Sequence, residues 1–294
     1  MPLKNTGMLL NPSELLRIKN FKLRVRGAVE GFLVGAHKSP YHGFSAEFSE
    51  HRAYAPGDDL RWLDWKALAR TGRPFTKVFE EETNLRAYLM VDTSRSMAYG
   101  NKMEYSATLA GAMAYLLYLQ RDAVGLVPFS DGVLEVIPPR TGRVHLESVL
   151  TKLSGLSPKG KTSPRVAFLE LAGLAKKRGL VILISDLMAS PDEITRGVRT
   201  FRFKKHHVIV FHILSPEETR APERPGLYED METGQRVRFH PSSGAELYRR
   251  SLLNWKKAIE VGLPDAGAEY HAITTDTPLS RALSAFFTKR ARMP

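Results

Sequence analysis

Cysteine is absent from the 294 residues. Its absence excludes disulfides, thiolate zinc sites and cysteine nucleophiles together, and it fits a reducing compartment. Long apolar runs are missing too: none approaches the roughly 20 residues that a membrane span needs. The opening stretch MPLKNTGMLLNPSELLRIKNF lacks the basic head, long apolar middle and small-residue cleavage site of a secretory leader. The expectation is a cytoplasmic protein with no membrane span. Blocks of one charge are also absent. Lys and Arg number 43 against 31 Asp and Glu, a formal net charge of +12. Yet the basic residues fall in short clusters, at Lys22-Arg24-Arg26, Lys176-Lys177-Arg178, Lys204-Lys205 and Lys289-Arg290-Arg292. With no aromatic-interleaved basic motif, nucleic acid is not the expected partner. An acidic protein is better served by such a balance.

Several catalytic patterns are missing as well. There is no H-E-x-x-H helix and no G-x-S-x-G elbow. No phosphate-binding P-loop is expected around Gly160-Lys161-Thr162. His206-His207 begins a predicted strand, and His37 and His42 lie in a loop-rich stretch; these histidines read as structural or solvated. The chain is not expected to be an enzyme.

What is present is a globular composition, 43% hydrophobic and 25% charged, with an alternation of strands and helices from residue 85 onward. Apolar runs predict strands over 85–91, 122–129, 180–185, 207–214 and 268–273. Apolar residues at three- and four-residue steps predict helices over 103–120, 144–153, 166–177, 192–203, 243–261 and 278–290. Ser130-Asp131-Gly132 reads as a hairpin turn leading to an antiparallel strand over 133–137. Leu227-Tyr228 and Val237-Arg238-Phe239 flank a polar loop with Gly234, a β-hairpin insertion at about 215–250. Such alternation argues for an α/β fold with a mostly parallel six-stranded sheet flanked by helices. Residues 1–84 read as an N-terminal appendage, and 85–294 as the main domain. The appendage is expected to be helical over 1–20, then to run as helix into loop. Glu47, Glu50, Arg52, Asp58, Asp59, Arg61, Asp64 and Arg70 are expected to pair around Tyr54, Trp62 and Trp65. A helical turn over 60–69 and a strand at Phe75–Phe79 complete it.

The stretch YLMVDTSRSMAYG, from Tyr88 to Gly100, carries the chemistry. An apolar strand ends on Asp92, and Ser94 and Ser96 follow on the loop that leaves it. In open α/β sheets ligands sit beyond the carboxyl ends of the strands. Asp186 ends another strand at the same edge, and Thr162 lies in a loop expected there if the crossovers are right-handed. Carboxylates and hydroxyls converging on one point suit a hard divalent cation. A capped Ser-rich turn is the plainer alternative for Asp92-Ser96 taken alone.

These residues carry a resemblance. Asp92-Thr93-Ser94-Arg95-Ser96, followed by Met97, resembles the D-x-S-x-S motif of the von Willebrand factor A-like fold. Gly160-Lys161-Thr162, with Ala167 further on, resembles its Gly-x-Thr motif, and Ser185-Asp186 its strand-end Asp. The resemblance implies a metal-ion-dependent adhesion site holding Mg²⁺ or Mn²⁺ through Asp92, Ser94, Ser96, Thr162 and Asp186. Ser163 is open as the alternative to Thr162. It also implies a coordination position left for an acidic side chain of a protein partner. EFSEHRAYAPGDDLRWLDWKALART, from Glu47 to Thr71, resembles the signature of a bacterial domain-of-unknown-function family, number 58. Glu232-Thr233-Gly234-Gln235 and TTDTPLSRALSAFFTKR, from Thr274, resemble it too. That family implies work beside MoxR-type AAA+ ATPases, in chaperone-like or assembly roles. The alternative reading is a metal-dependent phosphate-ester hydrolase. An Asp nucleophile of that class pairs with a second Asp two positions on, where this chain has Ser94.

Overall fold

The structure, a computed structural model, describes residues 20–37, 51–53, 65–73, 75–77, 85–160, 164–231 and 233–290. Its elements in chain order begin with helix α1 (Phe21–His37), strand β1 (His51–Ala53), helix α2 (Trp65–Thr71) and strand β2 (Phe75–Lys77). Strand β3 (Arg86–Asp92) leads through a short 3₁₀ segment (Arg95–Asn101) into helix α3 (Lys102–Leu119). Then come β4 (Ala123–Phe129), β5 (Ile137–Arg140), α4 (Arg143–Ser154), α5 (Pro164–Leu174), β6 (Leu180–Ser185) and α6 (Pro191–Phe203). The last are β7 (His207–Leu214), the hairpin strands β8 (Gly226–Glu229) and β9 (Arg236–Phe239), α7 (Pro241–Asp265), β10 (Glu269–Thr274) and α8 (Leu279–Arg290).

Six strands form one sheet in the order β10-β7-β6-β3-β4-β5. All neighbours are parallel except β5, which runs antiparallel to β4. The strands at the centre are apolar throughout because helices cover both faces. Successive side chains point to opposite faces, and the two cores divide by that rule. Leu89 and Val91 of β3 join Ile182 and Ile184 of β6 in one core, whereas Tyr88 and Met90 join Val181 and Leu183 in the other. The first core is closed by α1, α3, α4 and α8, the second by α5, α6 and α7.

This is the α/β architecture expected, with two corrections. The return strand after the Ser130–Gly132 turn is Ile137–Arg140; of the expected strand over 133–137, residues 133–136 hold only an isolated bridge from Phe129 to Val133. Pro138 and Pro139 lack amide protons, which suits an edge strand. The second correction concerns α1. Expected in an appendage of residues 1–84, it buries Phe21, Val25, Ala28, Val29 and Phe32 in the first core, against α3 and α8. Gly111 of α3 permits the approach, since a Cβ there would lie 2.7 Å from Val25 Cγ2. The compact units are accordingly 1–41 with 85–294, and 42–84.

In the smaller unit β1 pairs antiparallel with β2, and α2 is a two-turn helix. The expected helix over 1–20 and the Arg–carboxylate pairing of residues 47–64 lie outside the described residues.

The second core makes a sharp demand at Gly197 of α6. A Cβ there would sit 1.9 Å from Cδ2 of the buried Phe168 ring. Gly197→Ala is expected to lower stability by about 1–3 kcal/mol through this overpacking. A fall in the urea midpoint at unchanged slope would register it, whereas an unchanged midpoint would show that α5 and α6 part without cost.

Candidate functional site

Strand order places a site before any side chain is considered. The crossover from β3 runs through α3 to β4 on one side of β3, while β6 lies on its other side and continues through α6 to β7. The two connections leave on opposite faces, since α3 belongs to the first core and α6 to the second. A crevice opens at the carboxyl ends of such a strand pair. Asp92 ends β3 and Ser185-Asp186 ends β6, so their positions follow from topology.

Asp92 has no exposed surface. Its Oδ1 accepts from the Ser94 amide at 2.8 Å, and its Oδ2 accepts from the Ser185 hydroxyl at 2.5 Å. Burial, then the neighbouring Asp186 charge, push its pKa up to about 7 against the donated hydrogen bonds. The Ser94 and Ser96 hydroxyls lie 3.1 Å apart, both buried. Thr93 anchors this loop to the end of β4, donating from its amide and its hydroxyl to the Phe129 carbonyl.

The loop before α5 runs alongside. The Lys159 amide donates to the Thr93 carbonyl at 2.6 Å, and the Arg95 amide donates to the Gly160 carbonyl at 3.2 Å. Gly160 has φ +79°, and a Cβ there would meet Ser130 Oγ at 2.9 Å, so glycine is required. Thr162 and its alternative Ser163 lie outside the described residues. The structure therefore brings together Asp92, Ser94, Ser96 and Asp186, and carries the second-motif loop beside them as far as Gly160.

Asp186 is fully buried and occupied by a cation from within the chain. Lys102 Nζ donates to its Oδ2 at 2.7 Å and also donates to Glu218 Oε1. The Lys102 side chain has no exposed surface. Burial opposes its charge, but Asp186 and Glu218 outweigh it and raise the Lys102 pKa, keeping the ammonium protonated. His212 lies opposite Ser185 in the β6–β7 register, and its Nδ1 shares a 2.7 Å hydrogen bond with the Tyr270 hydroxyl. Burial pushes His212 down to about 4, so it is neutral near pH 7 and Lys102 supplies the positive charge.

Backbone conformation tightens the same place. Leu187, directly after Asp186, is buried with φ 54°, and Asn101, directly before Lys102, has φ 60°. Asn tolerates that region, but a leucine there costs about 1–2 kcal/mol. The Leu187 amide donates to Ser185 Oγ and the Trp255 indole donates to the Ala189 carbonyl, which help hold the turn.

Ser185, Lys102 and Glu218 join the site through contacts that the sequence motifs do not contain. A signal for Lys102 existed: α3 is apolar around its whole circumference and its charges are only Lys102 and Glu104. A helix of that kind is buried, and a buried lysine needs an acid. The letters of a P-loop are nevertheless complete in this chain. Residues 155–162, GLSPKGKT, complete the G-x-x-x-x-G-K-[ST] string. The fold withholds its context, because helix α4 precedes the string with Gly155 as its C-terminal cap, whereas a P-loop follows a strand.

The donor set fits a hard divalent ion. With metal–oxygen distances of about 2.1 Å, adjacent octahedral ligands lie about 3 Å apart, which the Ser94–Ser96 spacing matches. Two buried carboxylates side by side also call for positive charge beyond one ammonium. Among the described residues no three His, Asp or Glu side chains gather to hold a metal; the candidate set depends on hydroxyls.

Comparison with known proteins follows the same lines. A family model described as "Protein of unknown function DUF58" matches residues 50–251. Uncharacterised proteins of Mycobacterium bovis and Mycobacterium tuberculosis are each 27% identical over 236 residues, covering 78% of this chain and 74% of theirs. Among solved structures, an aerotolerance-related membrane protein from Bacteroides fragilis is similar with a TM-score of 0.52 at 15% identity. That match covers 71% of this chain and all of the other. It is a likeness of fold. In the present chain no helix among the described residues is long and apolar enough to cross a membrane.

Proposed function

Because the chain belongs to the DUF58 family, whose function is unknown, its activity has to be read from its site, and we propose that it is a divalent-metal-dependent protein-binding module. The observation that carries the reading is the pairing of two buried carboxylates, Asp92 and Asp186, with two hydroxyls 3.1 Å apart at the crevice between β3 and β6. Asp92, Ser94, Ser96 and Asp186 would hold Mg²⁺ or Mn²⁺, with Thr162 or Ser163 from the adjoining loop. The ion would supply a coordination position for an Asp or Glu of the partner. Ser185 and the Ser94 amide fix Asp92 by hydrogen bonds to both of its oxygens. Those bonds draw charge from the carboxylate and make it a poor nucleophile, which favours binding over phosphate-ester hydrolysis. Arg95, exposed between the two serines, and the net charge of +12 favour an acidic partner surface. Following the family resemblance, the partner proposed is a MoxR-type AAA+ ATPase, and the work is chaperone-like assembly in the cytoplasm.

The test is calorimetry with Mg²⁺, then with a purified MoxR-type ATPase. The native chain is expected to bind the ion, and to bind the ATPase only in its presence, with Asp186→Ala losing both. Full ATPase binding in excess chelator would defeat the metal reading. Turnover of a generic phosphate ester that vanishes in Asp92→Ala would replace it with the hydrolase.

A further inference from the structure

Lys102 has no part in the family motif, yet it is buried at the centre of the site and shared by two acids. The second acid, Glu218, belongs to the segment between β7 and the hairpin. Its Oε2 accepts from the Ser215 amide at 2.9 Å, its amide donates to Ser215 Oγ at 3.3 Å, and its carbonyl accepts from the Tyr248 hydroxyl of α7 at 3.0 Å. Glu218 therefore ties together the 215–219 turn, helix α7 and Lys102. The turn also presses on the segment that carries Lys102. A Cβ at Gly100 would lie 2.1 Å from Ser215 Cβ, and Gly100 has φ +58°. Both sides of the contact are thus closely fitted.

We infer that Lys102 is a positioning residue that couples the crevice to the 215–219 turn and helix α7, by dividing its ammonium between Asp186 and Glu218. The inference rests on the metal-site reading for its ligand but on the Asp186–Lys102–Glu218 chain for its structure. Three carboxylates, Asp92, Asp186 and Glu218, against one ammonium leave up to two negative charges, which a divalent cation neutralises. A cation arriving against Asp186 repels Lys102 and draws on the same oxygens. The ammonium then leans on Glu218, which is held by Ser215 and Tyr248. Occupancy at the crevice is thereby passed to the turn and to α7, which exposes Leu247 and Leu253. By linkage, a partner that grips this surface changes the affinity of the crevice for the cation by the same factor.

The experiment is hydrogen exchange on the full chain, read by mass spectrometry, beside Mg²⁺ calorimetry. It compares the native protein with Glu218→Gln and with Glu217→Gln, an exposed neighbour on the same turn that removes an equal charge. In the native protein Mg²⁺ is expected to slow exchange across 215–219 and around Tyr248. In Glu218→Gln that protection is lost and Mg²⁺ binds about tenfold more weakly, a coupling of ordinary size, while Glu217→Gln behaves as native. A second arm needs no metal: in chelator, Glu218→Gln should speed exchange of the Leu187, Met188 and Ala189 amides beside Asp186, and Glu217→Gln should not. If Mg²⁺ fails to bind the native chain but this arm responds, the coupling stands and the metal reading falls. If Mg²⁺ binds and both arms match the native protein, the metal reading stands and the coupling is overturned.

Discussion

Replacing Asp92 by Asn is expected to stabilise the metal-free protein at pH 8 while abolishing its binding of Mg²⁺. The sign follows from the carboxyl being raised from 3.8 to about 7 by burial and by Asp186. A carboxyl held above its unfolded value keeps its proton longer in the native state. Between about pH 4 and pH 7 the unfolded chain ionises first, so stability falls as pH rises through that window, and the full cost is present above it. A gap of about three units corresponds to about 4 kcal/mol at most. Asn removes the charge but cannot accept from Ser185 through its amide nitrogen, so the Ser185 hydroxyl must turn, which takes back about 1–2 kcal/mol. The net expectation is a gain of about 2 kcal/mol at pH 8 in chelator, shrinking toward pH 4. Urea unfolding at several pH values measures it, and calorimetry measures the ion. A loss of stability in Asp92→Asn at pH 8 would mean that the carboxylate is a structural acceptor, and would remove the reason for placing a cation beside it.

Lys102→Met should act in the opposite direction and more strongly. It leaves Asp186 fully buried and Glu218 15% exposed with the ammonium gone. Removing one partner of a buried ion pair costs about 3–5 kcal/mol, because the remaining charges are uncompensated. Methionine keeps the apolar stem, so little of the loss is packing. The charge origin can be isolated by the combined variant K102M/D186N/E218Q, which should recover most of the lost stability, since neutral groups in the same places need no counter-ion. Chemical unfolding of the native, single and combined variants tests this. Equal losses in the single and combined variants would assign the effect to shape.

The sequence reveals the frame of the site more fully than its wiring. Asp92, Ser94, Ser96 and Asp186 could be placed together because each ends a strand, or follows one, and strand ends in a parallel sheet share an edge. Local pattern suffices for that. Lys102 begins a helix and reaches Asp186 and Glu218 across separations of 84 and 116 residues, and no local periodicity reports such pairing. Ser185 was read only as part of a strand terminus, since its value lies in which neighbouring strand it faces. The antiparallel strand differs from its expected position because Val133-Leu134-Glu135-Val136-Ile137 has better strand composition than Ile137-Pro138-Pro139-Arg140. Tertiary contact with β4, where Gly125 admits Pro139 closely, overrides that preference. Helix α1 reads as part of the appendage because the loop-rich sequence after it reads as belonging with it, and only its packing on α3 and α8 joins it to the sheet.

That packing bears on how the chain is made. Helix α1 leaves the ribosome well before the helix α8 residues Leu279 and Leu283 that close the same core. At about 5–20 residues per second, the apolar side of α1 waits some seconds to tens of seconds for its partners. During that wait Phe21, Val25, Val29 and Phe32 are available to any other apolar surface. A fragment that begins at residue 85 would inherit the complementary problem, with α3 and α8 lacking their cover. The nascent chain is thus expected to call on a holding chaperone until helix α8 is synthesised, and ribosome-bound chains truncated before residue 279 are expected to be aggregation-prone when released.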